Sequence, residues 1–303
     1  MNNRPAFRTF ELPDVALGAL HWTGIDGAPT VLAIHGITAN AWHFDPLVHH
    51  LAGGADVVAV DLRGRGRSDA CSGPFGLRHH AADIVRIVRL LGRRVTLLGH
   101  SMGAFVALLA AEDAPELFDD VVLVDGGAPL PPVDPDEVDA TLEATLGPAI
   151  ARLRTIWPDR VSYQTMWAQH PAFADGLSID LERNLLADLI EVDGGFRTAV
   201  NEAAVMIDGR DLLVDDTVRS LLASRAEPTV VVRAPNGLAG TPPPLIPDEV
   251  VAAHPQHHWV TVPDTNHYTI LLGPGGAGAV ADVLRTRFGG DGAVSRPEGP
   301  LSR

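Results

Sequence analysis

Cysteine is nearly absent. Cys71 stands alone in 303 residues, so no internal disulfide can form, and a lone thiol of this kind is usually a small buried apolar side chain in a reducing compartment. Positive charge is scarce as well. The 23 Lys plus Arg face 38 Asp plus Glu, for a net charge of -15, and a surface of that sign repels phosphate backbones and anionic lipid heads. Nucleic acid is therefore excluded as a partner, and a small-molecule substrate is expected. Long apolar runs are missing too. No segment approaches the roughly 18 apolar residues of a membrane span, and Met1 to Asp14 is too polar for the core of a signal peptide. The expectation is a cytoplasmic protein with no membrane span. There is no P-loop or dinucleotide-binding glycine pattern and no cluster with metal-ligand spacing, so no cofactor and no metal is expected.

What remains is the composition of a globular protein, 46% hydrophobic and 20% charged, long enough for one large core. Short β-branched and aliphatic runs at Thr30 to Ile34, Asp56 to Val60, Arg94 to Leu98, Val121 to Val124, Thr229 to Val232 and His258 to Val262 predict buried strands. Leu77, Ala81, Ile84, Val88 and Leu91 step by four and three and draw one apolar stripe down a helix that Gly92 ends. Such alternation implies an α/β fold with a mostly parallel sheet, covered by helices on both faces and binding ligands beyond the carboxyl ends of its strands. Gly18 to Trp22 is expected to be antiparallel at the sheet's edge. The alternation stops between about 130 and 227, a stretch opening with Pro131, Pro132 and Pro135, which reads as an inserted helical cap on a core of 1–129 and 228–290. Residues 291–303 read as a flexible tail.

Gly99-His100-Ser101-Met102-Gly103 follows a predicted strand and precedes a helical run. A serine on such a sharp strand-to-helix turn projects its hydroxyl above the sheet, and flanking glycines avoid collision with neighbouring backbone. In this motif and its setting the chain resembles the α/β-hydrolase superfamily, over nearly all its length outside the tail. The resemblance implies a nucleophile at Ser101 and an oxyanion loop at His35-Gly36-Ile37, with the N–H groups of Ile37 and Met102 as donors to the developing oxyanion. It also implies that Asp61-Leu62-Arg63-Gly64-Arg65-Gly66-Arg67-Ser68-Asp69 is a structural turn. In this fold the order is nucleophile, acid, histidine. His267, in the loop after the last strand, is thus the expected base.

The acid is displaced. The usual position, after the strand Thr229 to Val232, reads Arg233-Ala234-Pro235-Asn236-Gly237 and holds no carboxylate. The resemblance implies Asp125 as the substitute, since it closes an earlier strand after which some family members place their acid, with Asp248, Glu249 and, less favoured, Asp264 as rivals. Trp157, Met166 and Trp167 of the cap are candidates for the substrate pocket or for the cap's own core, and Trp42 and His43 are candidates for the pocket or for scaffold packing. With no Arg or Lys marked for a carboxylate, the expected reaction is hydrolysis of an ester or lactone of an uncharged, fairly hydrophobic small molecule. The alternatives are a carbon–carbon bond hydrolase, which would need a cationic clamp in the pocket, a cofactor-free dioxygenase, or a ligand receptor that retains the triad.

Overall fold

The chain is described by a computed structural model covering residues 4–288, apart from the side chains of residues 179 and 180; the expected tail at 291–303 lies outside the described residues. Its first half alternates strands and helices in the order β1 (Ala6–Glu11), β2 (Ala16–Trp22), β3 (Thr30–Ile34), α1 (Asp45–Leu51), β4 (Asp56–Val60), α2 (Leu77–Leu91), β5 (Val95–His100), α3 (Met102–Asp113) and β6 (Phe118–Val124). After β6 come α4 (Val138–Arg154), α5 (Arg160–Ala168), α6 (Ile179–Leu186), the hairpin β7 (Leu189–Val192) and β8 (Gly195–Thr198), α7 (Glu202–Val214) and α8 (Asp216–Ser224). The chain then returns to the sheet through β9 (Val230–Arg233), α9 (Asp248–Ala253), β10 (His258–Thr261), α10 (Thr269–Leu272) and α11 (Pro274–Phe288).

Eight strands form one sheet in the order β1-β2-β4-β3-β5-β6-β9-β10. The pairs β1/β2 and β2/β4 are antiparallel and all others parallel. Every residue of β3, β4 and β5 is buried, which is why these strands read as continuous apolar runs rather than as alternating ones. The period of two survives in which face each residue serves. Leu32, Ile34, Val58, Val60 and Leu97 join one core with α2, α3 and α8, while Val31, Ala33, Val57, Ala59 and Leu98 join the other with α1 and α11.

The stretch between β6 and β9 differs from a uniformly helical insertion. It contains the hairpin β7–β8, turned by Asp193-Gly194, a two-residue signal for tight turns. It also contains α8, whose Val218, Leu221 and Leu222 pack into the sheet-side core with α3. The sheet's helical layer thus resumes before residue 227. The remainder has a small core of its own, in which Tyr163, Trp167, Phe173 and Leu185 are buried and Trp157 and Met166 pack against them.

Candidate active site

Ser101 sits between β5 and α3 with φ 57 and ψ -123, a conformation that costs a non-glycine residue about 1–3 kcal/mol and persists only where surrounding structure enforces it. The enforcement is steric. A Cβ on Gly103 would stand 2.1 Å from the Ile34 carbonyl oxygen and 2.6 Å from that of His35, so α3 can approach β3 this closely only with glycine there. Met102 is the first residue of α3, which leaves its N–H without an intrahelical acceptor and at the positive end of the helix dipole. Ile37, on the loop after β3, lines the same cavity as Ser101 and Met102.

His267 approaches from the loop after β10. Its Nε2 lies 3.0 Å from Ser101 Oγ and its Nδ1 2.7 Å from Asp125 Oδ2. Asp125 directly follows β6 with φ 44 and is fully buried; its other oxygen, Oδ1, accepts the Ala234 N–H at 3.0 Å. A carboxylate only accepts, so Nδ1 of His267 must carry the ring proton and Nε2 is left to accept from the serine hydroxyl. The neighbouring Gly126 lies against the Ser101 turn, since a Cβ there would come within 2.2 Å of the Ser101 carbonyl oxygen. The rival carboxylates are elsewhere. Asp248 is exposed and paired with Arg233, and Glu249 and Asp264 are exposed.

Two further histidines brace this arrangement as neutral rings. The Leu62 N–H donates to His35 Nε2, so Nδ1 holds the proton and donates to the Gly36 carbonyl. Burial keeps its pKa well below the ordinary value. His100 stacks on His267 with ring centroids 4.9 Å apart and donates from Nε2 to the His267 carbonyl. Burial and the neighbouring His267 push its pKa far down, because a second proton would sit on Nδ1, which is buried without a partner among the described residues. The loop after β4 acts through buried charge. Arg65 donates from Nε to the Ile37 carbonyl at 3.0 Å and pairs with Asp208 at 2.5 Å, and Arg63 pairs with Asp83. Arg65 therefore ties the Ile37 loop to α7. Burial raises Asp61 to about 6, although it accepts the N–H groups of Ala41 and Arg67.

The cavity above Ser101 has a volume of about 320 Å³ and is lined mainly by aliphatic side chains. Trp167 lines it. Trp42, Trp157 and Met166, named as candidates for the pocket or for packing, do not, and fall on the packing side. Trp42 meets Trp22 and Phe7 edge-on at 6.4 and 6.3 Å, while Trp157 packs on Tyr163 and Met166 belongs to the same aromatic cluster. Walls that sequence reasoning missed come from Leu142, Leu146 and Ala149 on α4 and from Leu238, Leu245 and Ile246 after β9. His43 does reach the cavity, beside Asp188, whose carboxylate accepts from Asn40 Nδ2 and the Tyr163 hydroxyl. The sequence marked no Arg or Lys for a carboxylate, but one cation does reach the cavity. Arg152 of α4 lines the cavity.

A family model described as the alpha/beta hydrolase fold matches residues 29–274, and the chain belongs to this family. It is 31% identical over 253 residues to the 2-(acetamidomethylene)succinate hydrolase of Mesorhizobium japonicum, covering 81% of this chain and 84% of that protein. A crystal structure of E-2-(acetamidomethylene)succinate hydrolase superposes with a TM-score of 0.75 at 24% identity, over 94% of this chain and 99% of that one. The N-formylmaleamic acid deformylase of Pseudomonas putida S16 gives a TM-score of 0.66 at 23% identity, over 91% and 100% of the two chains. Both structural likenesses bear on the fold. Among the described residues no helix is long and apolar enough to cross a membrane, and no group of three or more His, Cys, Asp or Glu side chains is set to hold a metal ion.

Proposed function

We propose that the chain is a serine hydrolase that cleaves an ester or lactone of a fairly hydrophobic small molecule through an acyl-enzyme on Ser101. The observation that carries this reading is the continuous chain from Ser101 Oγ to His267 Nε2 at 3.0 Å and from His267 Nδ1 to Asp125 Oδ2 at 2.7 Å, opening into an apolar cavity. His267 takes the hydroxyl proton as Oγ bonds to the substrate carbonyl carbon, and the carbonyl electrons move onto oxygen. The N–H groups of Ile37 and Met102, which line the cavity with Ser101, would receive that oxyanion. Collapse of the intermediate breaks the bond to the leaving group, which takes the proton from His267. Water, deprotonated by the same ring, then attacks the acyl carbon and releases the acid and Ser101.

Hydrolysis of an amide is the second reading, favoured by the Mesorhizobium relative, whose name places an acetamido group in its substrate. An amide asks more of His267 as a general acid, because the nitrogen leaves only when protonated. A fluorophosphonate probe tests the common part of both readings. It should label the protein once, at Ser101, and labelling undiminished in Ser101→Ala would overturn the assignment. Turnover of a p-nitrophenyl ester panel beside matched anilides then separates ester from amide preference.

A further inference from the structure

Arginines turned into this protein are otherwise paired. The chain contains no lysine, and the two fully buried arginines, Arg63 and Arg65, each hold a buried carboxylate, Asp83 and Asp208. Arg154, two residues beyond Arg152 on α4, turns outward to Glu202. Arg152 is different. It is half-buried, makes no ion pair among the described residues, and faces the cavity from the same helix stripe as Leu142, Leu146 and Ala149. Its guanidinium lies over the Trp167 ring, 4.7 Å from the centroid, and Nη2 donates to Thr38 Oγ1 at 3.2 Å. Its Nε is buried with no acceptor among the described residues.

A guanidinium bordering an apolar cavity gives up hydration, and neither a ring face nor a hydroxyl replaces a counter-charge. The carboxylate that shares the cavity, Asp188, is already engaged by Asn40 and Tyr163 and lies near His43. We infer that Arg152 is the substrate's carboxylate anchor, so that the acyl compound cleaved at Ser101 has an apolar body and one anionic end. This rests on the serine-hydrolase reading above and narrows its substrate class. One carboxylate fits better than a phosphate dianion, since Arg152 is the one Lys or Arg among the lining residues and Asp188 adds negative charge to the same space. The planar fork suits a carboxylate, and stacking on Trp167 fixes the plane of that fork before substrate arrives. Arg152 is thus a specificity-determining residue that holds the anionic end of the substrate and takes no part in the proton transfers at Ser101.

The test compares two near-isosteric chromogenic esters, mono-p-nitrophenyl adipate and p-nitrophenyl heptanoate. The wild-type protein should favour the adipate ester in kcat/KM, and Arg152→Gln should reduce that preference about 10- to 100-fold, the range expected for hydrogen bonds to a charged group. Arg152→Lys should fall between, keeping the charge and losing the fork. Because the readout is a ratio between two substrates on one variant, a general loss of folded protein leaves it unchanged. A preference near unity in wild type, or one unaltered in Arg152→Gln, would overturn the inference. Binding is read independently of turnover by titrating adipate calorimetrically into Ser101→Ala protein with and without Arg152→Gln. At least tenfold weaker binding in the double variant supports the anchor even if neither ester is hydrolysed, in which case the proposed reaction alone fails. Absent binding, or equal binding in both, refutes the anchor.

Discussion

Replacing Asp125 by asparagine probes the displaced acid most directly, because the structure dictates how the amide must sit. Asp125 accepts from two donors, the Ala234 N–H on Oδ1 and His267 Nδ1 on Oδ2, whereas an asparagine offers one oxygen and one NH₂. If the oxygen stays on Ala234, the NH₂ faces Nδ1. The ring proton then moves to Nε2, where it points at Ser101 Oγ and disables the base. If the amide flips, the right tautomer survives, but the NH₂ opposes a buried Ala234 N–H at a cost of about 1–3 kcal/mol, which thins the productive state about 5- to 150-fold. Either way the imidazolium loses its anion, worth a further ~1.5–3 kcal/mol, or about 10- to 150-fold. Together these give a fall in kcat of about 10² to 10⁴, in line with triad hydrolases generally. The backbone should tolerate the change, since asparagine, like aspartate, accepts a left-handed φ such as the 44° found here. The assay is steady-state turnover of a p-nitrophenyl ester, with circular dichroism to confirm folding. A kcat within about threefold of wild type would show that the reasoning, and the assignment of Asp125, is wrong.

Two predictions concern stability. Gly103→Ala would drive a Cβ to 2.1 Å from the Ile34 carbonyl oxygen, where backbone rather than a flexible side chain must yield, so denaturant unfolding should register a loss of about 3 kcal/mol or more; a loss below about 1 kcal/mol would mean that α3 can slide away from β3. His35 and His100 fold as neutral rings with pKa values well below the ordinary 6.5. Below about pH 6.5 the unfolded chain therefore binds more protons, and the stability these rings contribute, complete above that pH, is lost as pH falls, by up to ~1.4 kcal/mol per unit for each. Asp61, raised from 3.8 to about 6 in the fold, works in the opposite sense and offsets part of the loss below pH 6. His100→Gln should remove about one group's share of the slope, seen in unfolding curves from about pH 7 to 5, and an unchanged slope would refute the account of His100.

The placement of Ser101 on its turn and of His267 after the last strand was legible because both signals are local. Ser101 needs a strand, a glycine-flanked turn and a helix in sequence, and His267 needs only to follow the last strand. Asp125 was reached only through the resemblance, since some family members place their acid after this earlier strand, and its distances to His267 and Ala234 are long-range facts that no local pattern carries. The sheet strands were legible for a related reason: burial on both faces leaves unbroken apolar runs. Over the active site the logic reverses. Trp42, Trp157 and Met166 were drawn toward substrate by being large and apolar, but in a small subdomain such residues are the material of its own core. Arg152 carried a usable signal, a charge in register with the apolar stripe Leu142, Leu146 and Ala149. That register matters only once α4 is known to face Ser101. The hairpin β7–β8 was announced by Asp193-Gly194 between Val192 and Gly195, a turn signal overlooked amid helix-like stretches.

The loop after β9, where this fold usually keeps its acid, contributes here only a peptide N–H to Asp125, from Ala234, while Leu238, Leu245 and Ile246 form cavity wall. A carboxylate cannot simply be restored at Gly237, where a Cβ would stand 2.5 Å from the Pro243 carbonyl oxygen. Proton handling and shape selection are thereby divided between separate stretches of chain. For directed evolution this is a usable partition: randomising positions 238 and 245 remodels the receptacle for the acyl or alcohol group while Ser101, Asp125 and His267 stay on the ends of the sheet, and Ile246, buried in the sheet-side core with Val231, is left as it is. Libraries confined to those two positions should be rich in altered selectivity and poor in dead protein.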